Sequence, residues 1–77
     1  MTLSLILNID QHITAEIHDI GGEKIKTLVD GVLPGGYYEV YWNGDTESGI
    51  RVKDGVYFYK IRTGNGTELT DKIILIK

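Results

Sequence analysis

Seventy-seven residues with ten glycines, one proline and no cysteine make one small domain, because a chain this short buries only roughly 60% of the surface it exposes when unfolded. The missing cysteines remove disulfide staples, thiolate zinc ligands and thiol nucleophiles. A formal charge of −3, with the eight basic residues scattered along the chain, excludes the clustered basic face of a nucleic-acid binder and offers an anionic membrane surface no purchase.

The opening run, MTLSLILNI, is apolar but far short of the roughly 20 residues of a spanning helix. It also lacks the positive n-region and small-residue cleavage site of a signal peptide, so an exported form would carry its signal elsewhere on a longer parent chain. Within this run Leu3, Leu5, Leu7 and Ile9 alternate with Ser4, Ile6 and Asn8, which predicts a strand over 3–9 with one face toward a core. Ile13, Ala15 and Ile17 alternate with His12, Thr14, Glu16 and His18 in a second strand over 12–20. The two histidines then share the polar face about 20 Å apart, at about 3.3 Å per residue. That is too far for a shared metal, and no third group is placed to make either a general base, so both read as solvated.

Gly21–Gly22 suits a tight hairpin in which both glycines take positive φ, leading into a strand over 23–29. Leu33–Gly36, with Pro34 disfavoured inside a ladder, separates that strand from the next, predicted over 37–43. There Tyr38, Val40 and Trp42 face inward, while Tyr37 and Tyr41 share an outward face with Glu39 between them. An outward pair of tyrosines is a candidate sugar-stacking platform, although tyrosines also favour strands for plain cross-strand packing.

The run WNGDTESGIRVKDG, Trp42 to Gly55, places Asn43, Asp45 and Glu47 at alternate positions with Asp54 further on. It imitates a helix–loop–helix calcium loop, but that loop requires glycine at its sixth position and helices on both flanks. Here the sixth residue is Ser48, Gly49 comes one later, and both flanks read as strands. Asn, Asp, Ser and Gly are turn formers, so the run is expected to turn the chain without a metal, with a short strand near 50–53. No serine or threonine sits in a nucleophile-elbow pattern, and GGEKIKT and GNGTELT lack the spacing and helix of a phosphate loop. The expectation is a chain with no enzymatic activity and no cofactor.

The last two strands are predicted over 55–63 and 67–76, joined by Gly64–Asn65–Gly66 with either a two- or a three-residue turn. VYFY and IILI do not alternate as a strand with one wet face should. With Tyr57, Tyr59 and Ile61 inward, Val56 and Phe58 face out, joined by Ile73 and Leu75 or by Ile74 and Ile76 depending on register. Ile6 adds to this surface if its strand borders the hairpin. The candidate interface is therefore Ile6, Val56, Phe58, Ile73 and Leu75, since a contiguous apolar patch marks a contact. Another copy, a neighbouring domain or a receptor would cover it.

These residues carry a resemblance. From about Ile13 to Lys77 the chain resembles the immunoglobulin-like module named after the flagellar hook-capping protein FlgD. The shared parts are the hairpin with Asp19, Gly22, Ile25 and Leu28, the strand and turn with Gly36, Trp42 and Gly44, the Gly55–Tyr59 strand, and the terminal Lys72–Lys77 run. WNGDTESG is similar to the family's W-D-G-x-[DN]-x-x-G turn, with Asn43 where aspartate is usual. The resemblance implies that Trp42 anchors the core and that the backbone bends tightly at Gly44, Gly49 and Gly55.

The resulting expectation is a non-catalytic, antiparallel immunoglobulin-like β-sandwich of six to seven strands spanning 1–77. Modules of this kind sit at the C-termini of secreted bacterial proteins and merge into the sorting domains of type IX secretion. The resemblance therefore implies an extracellular or cell-surface accessory module for secretion, attachment or assembly. Its partner would be secretion or surface machinery, a neighbouring domain or itself. The alternatives are a filament subunit that donates residues 3–9 to its neighbour, and a carbohydrate-binding module using Tyr37 and Tyr41.

Overall fold

The period-two pattern folds into six strands and no helix across residues 2–76, which the computed structural model describes. Met1 and Lys77, which end the opening and terminal runs, lie outside the described residues. The strands are β1 (Thr2–Leu7), β2 (Gln11–Asp19), β3 (Lys24–Leu33), β4 (Gly36–Tyr41), β5 (Gly55–Thr63) and β6 (Glu68–Leu75). They form two antiparallel sheets, β1-β4 and β3-β2-β5-β6, packed as a small immunoglobulin-like sandwich.

Several boundaries differ from the sequence pattern. β1 stops at Leu7, and Ile9 is 63% exposed rather than inward. Asn8–Asp10 is where the chain leaves one sheet for the other, and Asp10 Oδ1 fixes the crossing by accepting from Gly35 N–H at 2.8 Å. β3 runs on to Leu33, and its pairing with β2 slips after Ala15 and again after Ile17. Each slip places an extra residue in β3, Leu28 and then Ile25, and both pack on the core. Residues 50–53 form no strand; a single bridge joins Asp45 to Arg51.

Three connections use one device. In Asp19–Glu23, Thr46–Ile50 and Thr63–Thr67 the first residue donates its N–H to the carbonyl of the last, at 2.9, 2.8 and 2.9 Å. Its carbonyl accepts from a glycine N–H three residues on, and those glycines, Gly22, Gly49 and Gly66, have φ of 88°, 84° and 90°. This is a type I turn closed by a left-handed residue, the three-residue hairpin loop. A side-chain oxygen supports each one: Asp19 Oδ1 takes the N–H of Gly21 and Glu23, Thr46 Oγ1 that of Ile50, and Asn65 Oδ1 that of Thr67. The expected two-residue turn at Gly21–Gly22 is therefore replaced by a three-residue loop in which only Gly22 is left-handed. The same loop at Gly64–Gly66 sets the β5–β6 register, with Tyr57 opposite Ile73 and Val56 opposite Ile74.

The core has two parts. Leu5 and Leu7 of β1 cover Ile13, Ala15 and Ile61. Ile17, Tyr57 and Ile73 are covered instead by Trp42 and Val52, which flank the loop after β4. Strands lie about 4.8 Å apart, so two strands cannot roof four, and the Trp42 loop supplies the missing cover.

Two glycine substitutions separate backbone strain from space, since a Cβ at Gly22 or at Gly31 meets nothing within 4 Å. Gly22→Ala is expected to cost about 1–2 kcal/mol through its left-handed φ, lowering Tm by several degrees. Gly31→Ala, in β3 with no positive φ, should leave Tm unchanged or raise it by removing freedom from the unfolded chain. Thermal unfolding of the two variants side by side checks both signs.

Candidate functional site

The Trp42–Gly55 segment is built around two aromatic rings. Trp42 is only 2% exposed, and its ring meets that of Tyr57 edge-on, with centroids 5.4 Å apart and planes at 66°. Trp42 Nε1–H donates to the Asp45 carbonyl at 2.9 Å, and the Tyr57 hydroxyl donates to the Lys53 carbonyl at 2.6 Å. Each ring thus holds one end of the loop, while Val52 N–H closes onto the Gly44 carbonyl at 2.9 Å. Gly44 and Gly49 both take positive φ here, Gly36 begins β4 and Gly55 begins β5.

The carboxylates that imitate a calcium loop point at β3. Asp45 Oδ1 accepts from Lys26 Nζ at 2.8 Å, and Glu47 Oε2 accepts from Thr27 N–H at 2.9 Å. Glu47 N–H donates in turn to the Ile25 carbonyl at 3.3 Å. The loop therefore binds along the outer edge of β3. Among the described residues no group of three or more His, Asp or Glu side chains is arranged to hold a metal.

Both histidines lie on the outer face of the four-stranded sheet, each beside a carboxylate. His12 Nε2 is 2.9 Å from Asp30 Oδ1. His18 Nε2 is 3.0 Å from Glu16 Oε1, and its Nδ1 is 3.2 Å from the Gly22 carbonyl. His18 is thus largely enclosed rather than solvated, and it links β2 to the turn that follows. The Glu16–His18 contact was legible, because residues two apart on a strand share a face. The His12–Asp30 contact required the β2–β3 register.

The terminal hairpin corrects part of the expected interface. Val56 and Phe58 do face outward and are half-buried among their neighbours. Ile73, however, is 5% exposed and sits in the core, and Leu75 packs against the same cluster. The three-residue turn puts Ile73 opposite inward-facing Tyr57, so Ile74 takes the outward place opposite Val56. Ile6, 76% exposed, belongs to the other sheet, where it pairs with Tyr37 on the opposite side of the sandwich. Phe58 lines a shallow depression of about 200 Å³ with His18, Ile20, Lys60 and Thr70.

Tyr37 and Tyr41 are exposed on the outer face of β1-β4. The Tyr37 hydroxyl donates to Glu39 Oε1 at 3.2 Å and lies 3.3 Å from Ser4 Oγ. Tyr59 packs against both core clusters. Burial raises its phenol pKa, and the hydrogen bond from its hydroxyl to Asp71 raises it further. Between the sheets lies an apolar recess of about 150 Å³, lined by Leu3, Ile17, Leu28, Val40, Trp42 and Tyr59 among others. No side chain in the described core is polar apart from the tips of its aromatic rings. The recess is lined mainly by apolar side chains, with Thr2 at its margin. Near the β5–β6 turn the Arg62 guanidinium bonds Glu68 at 2.9 Å and lowers its pKa, against a smaller opposing effect of burial. That carboxylate is therefore ionised at neutral pH, and the pair is lost only as pH falls through the lowered pKa.

Because Asp45 and Glu47 are already engaged by β3, millimolar calcium is expected to leave Tm unchanged. A ligand at a hundred times its Kd would add about 2.7 kcal/mol, so a rise of several degrees in calcium over EDTA would overturn this account of the loop.

The family model described as the FlgD Ig-like domain matches residues 2–67, from the start of β1 through the β5–β6 turn. No curated protein matches the chain. With its two-sheet sandwich, its tryptophan-anchored turn and a match over most of its length, the chain belongs to the FlgD Ig-like domain family.

Proposed function

We propose that this chain is a non-catalytic interaction module, the accessory C-terminal part of an exported bacterial protein, serving assembly, surface attachment or secretion outside the cell. The carrying observation is the outer face of β5 and β6, where Val56, Phe58 and Ile74 form an apolar strip framed by His18, Lys60 and Lys72. No other element of the described chain packs over this strip. An apolar strip rimmed by charge is the composition of a protein contact, where an aromatic anchor supplies most of the energy. Membership of a family named for a hook-capping protein supports a role in building an exported structure, and the same reading extends to the sorting domains of type IX secretion.

Donation of β1 to a neighbouring subunit is less favoured. Leu5 and Leu7 are buried beneath the β1-β4 sheet, so releasing that strand would uncover Ile13, Ala15 and Ile61.

A photo-crosslinking residue at Phe58, compared with one at Tyr41, tests the reading in envelope and secreted fractions of the native host. A discrete protein adduct is expected at position 58 and none at 41. Phe58→Glu should abolish the association with less than a few degrees lost in Tm. Equal adducts at both positions, or none at either, would remove the proposal.

A further inference from the structure

The two edges of the four-stranded sheet are finished differently. β3 carries both bulges and is covered by the Trp42 loop through Ile25, Lys26 and Thr27. Bulges, cover and charged side chains are the usual ways of stopping a sheet edge from pairing. Of these β6 has only the charges of Glu68, Asp71 and Lys72, which repel most alignments and match one. It is eight residues long, regular in its register with β5, and among the described residues borders no strand on its far side.

The hydrogen-bonding pattern shows which backbone groups this edge presents. Thr63 N–H bonds the Thr67 carbonyl at 2.9 Å, so Thr63 and Thr67 form a hydrogen-bonded pair. Antiparallel pairs alternate between bonded and non-bonded, which turns Leu69, Asp71 and Ile73 toward β5 and Glu68, Thr70 and Lys72 toward the open side. The Lys72 N–H agrees, since it is held by the Asp71 carboxylate at 2.8 Å rather than by β5. Only one symmetric register matches charge across this edge. With Thr70 opposite Thr70 of a second copy, Lys72 falls opposite Glu68 twice, on the outer face. Centring on Asp71 or on Lys72 instead opposes like charges.

We propose that β6 pairs with β6 of a second copy of this chain, antiparallel about a two-fold axis at Thr70, joining two four-stranded sheets into one. This rests on the reading of the terminal hairpin as an interaction element and names what meets its edge, while the Val56, Phe58 and Ile74 face stays open to a further partner. About six main-chain hydrogen bonds form, two at each of three bonded pairs, with each Lys72 N–H exchanging the Asp71 carboxylate for the Glu68 carbonyl of the other copy. Lys72 of each chain meets Glu68 of the other, and Arg62 stays bound to Glu68. The area is small, so the dimer is weak, and it loosens with salt.

Sedimentation equilibrium of the whole chain across a range of concentrations tests this with four samples. Wild type should dimerise. Lys72→Glu and Glu68→Lys should each weaken dimerisation about tenfold, because each places like charges opposite one another twice. An equimolar mixture of the two variants should recover the wild-type dimer. In the heterodimer the two substituted positions oppose each other with opposite charge, and at the other end the native Glu68 of one chain meets the native Lys72 of the other. Amide exchange needs no variant: the Thr70 N–H should be protected at high concentration and exchange freely when diluted.

Three results would overturn the proposal: a monomer at millimolar concentration, single variants that dimerise like wild type, or a mixture that fails to recover while both variants remain folded by circular dichroism. If a variant unfolds, Thr70 exchange that does not depend on concentration is decisive against it. Any of these alongside a crosslink at Phe58 would remove the self-pairing and leave the interaction module standing. Self-pairing without a crosslink other than to a second copy would remove the external partner instead.

Discussion

The contact on which the rest of the structure depends is the edge-on packing of Trp42 against Tyr57. A 77-residue chain has a stability of roughly 4–12 kcal/mol at about 0.05–0.15 kcal/mol per residue. Removing a buried tryptophan costs about 3–5 kcal/mol, a large part of that. The position of the ring matters as much as its area. β1 and β4 roof only the Ile13–Ile61 half of the four-stranded sheet, and the other half is closed by a loop. A loop covers a core well only if it is held in one conformation. Trp42 and Tyr57 achieve this by packing together while each ring donates to a different loop carbonyl, at Asp45 and at Lys53. Loss of either ring would loosen the roof over Ile17 and Ile73 at once.

That loop has a second effect. The ties from Asp45 and Glu47 to Lys26 and Thr27 lay it along the edge of β3, where the bulges at Leu28 and Ile25 already interrupt the ladder. One element therefore completes the core and closes one sheet edge. Among the described residues this device has no counterpart at β6, and the proposed self-pairing uses that uncovered edge. The carboxylates that resemble a calcium loop in sequence are the means by which the β3 edge is closed.

The parity of most strands was legible in the sequence because a half-buried strand must alternate. Ile13, Ala15 and Ile17, and likewise Tyr57 and Ile61, stand inward as their spacing required. What periodicity could not supply was register. Ile73 and Ile74 have the same side-chain chemistry, and only the length of the Gly64–Gly66 loop decides which one enters the core. The sheet to which Ile6 belongs was equally hidden, since alternation shows that a strand has a dry face but not which strand lies beside it. The bulges in β3 were hidden too, since neither Ile25 between two lysines nor Leu28 beside Val29 marks where the ladder slips. The repeated turn did leave a local signal. A residue with a side-chain oxygen, followed three positions on by glycine, recurs at Asp19, Thr46 and Thr63, and it could have settled the β5–β6 register in advance.

A thin core also bears on what kind of function this scaffold can support. Catalysis depends on polar groups fixed in a site from which water is excluded, where their fields are strong. Here the interior is filled by aliphatic and aromatic side chains, and the titratable clusters around His12, His18 and Arg62 lie on outer faces. On those faces water and salt screen the His12 and Arg62 pairs, and the part-buried His18–Glu16 pair less. Screened charges activate a nucleophile poorly, but they select partners well, because repulsion between like charges survives as a difference between right and wrong registers. In the proposed pairing Lys72 and Glu68 act in this sense. They add little to the strength of an edge contact and decide which strand, in which alignment, can make it.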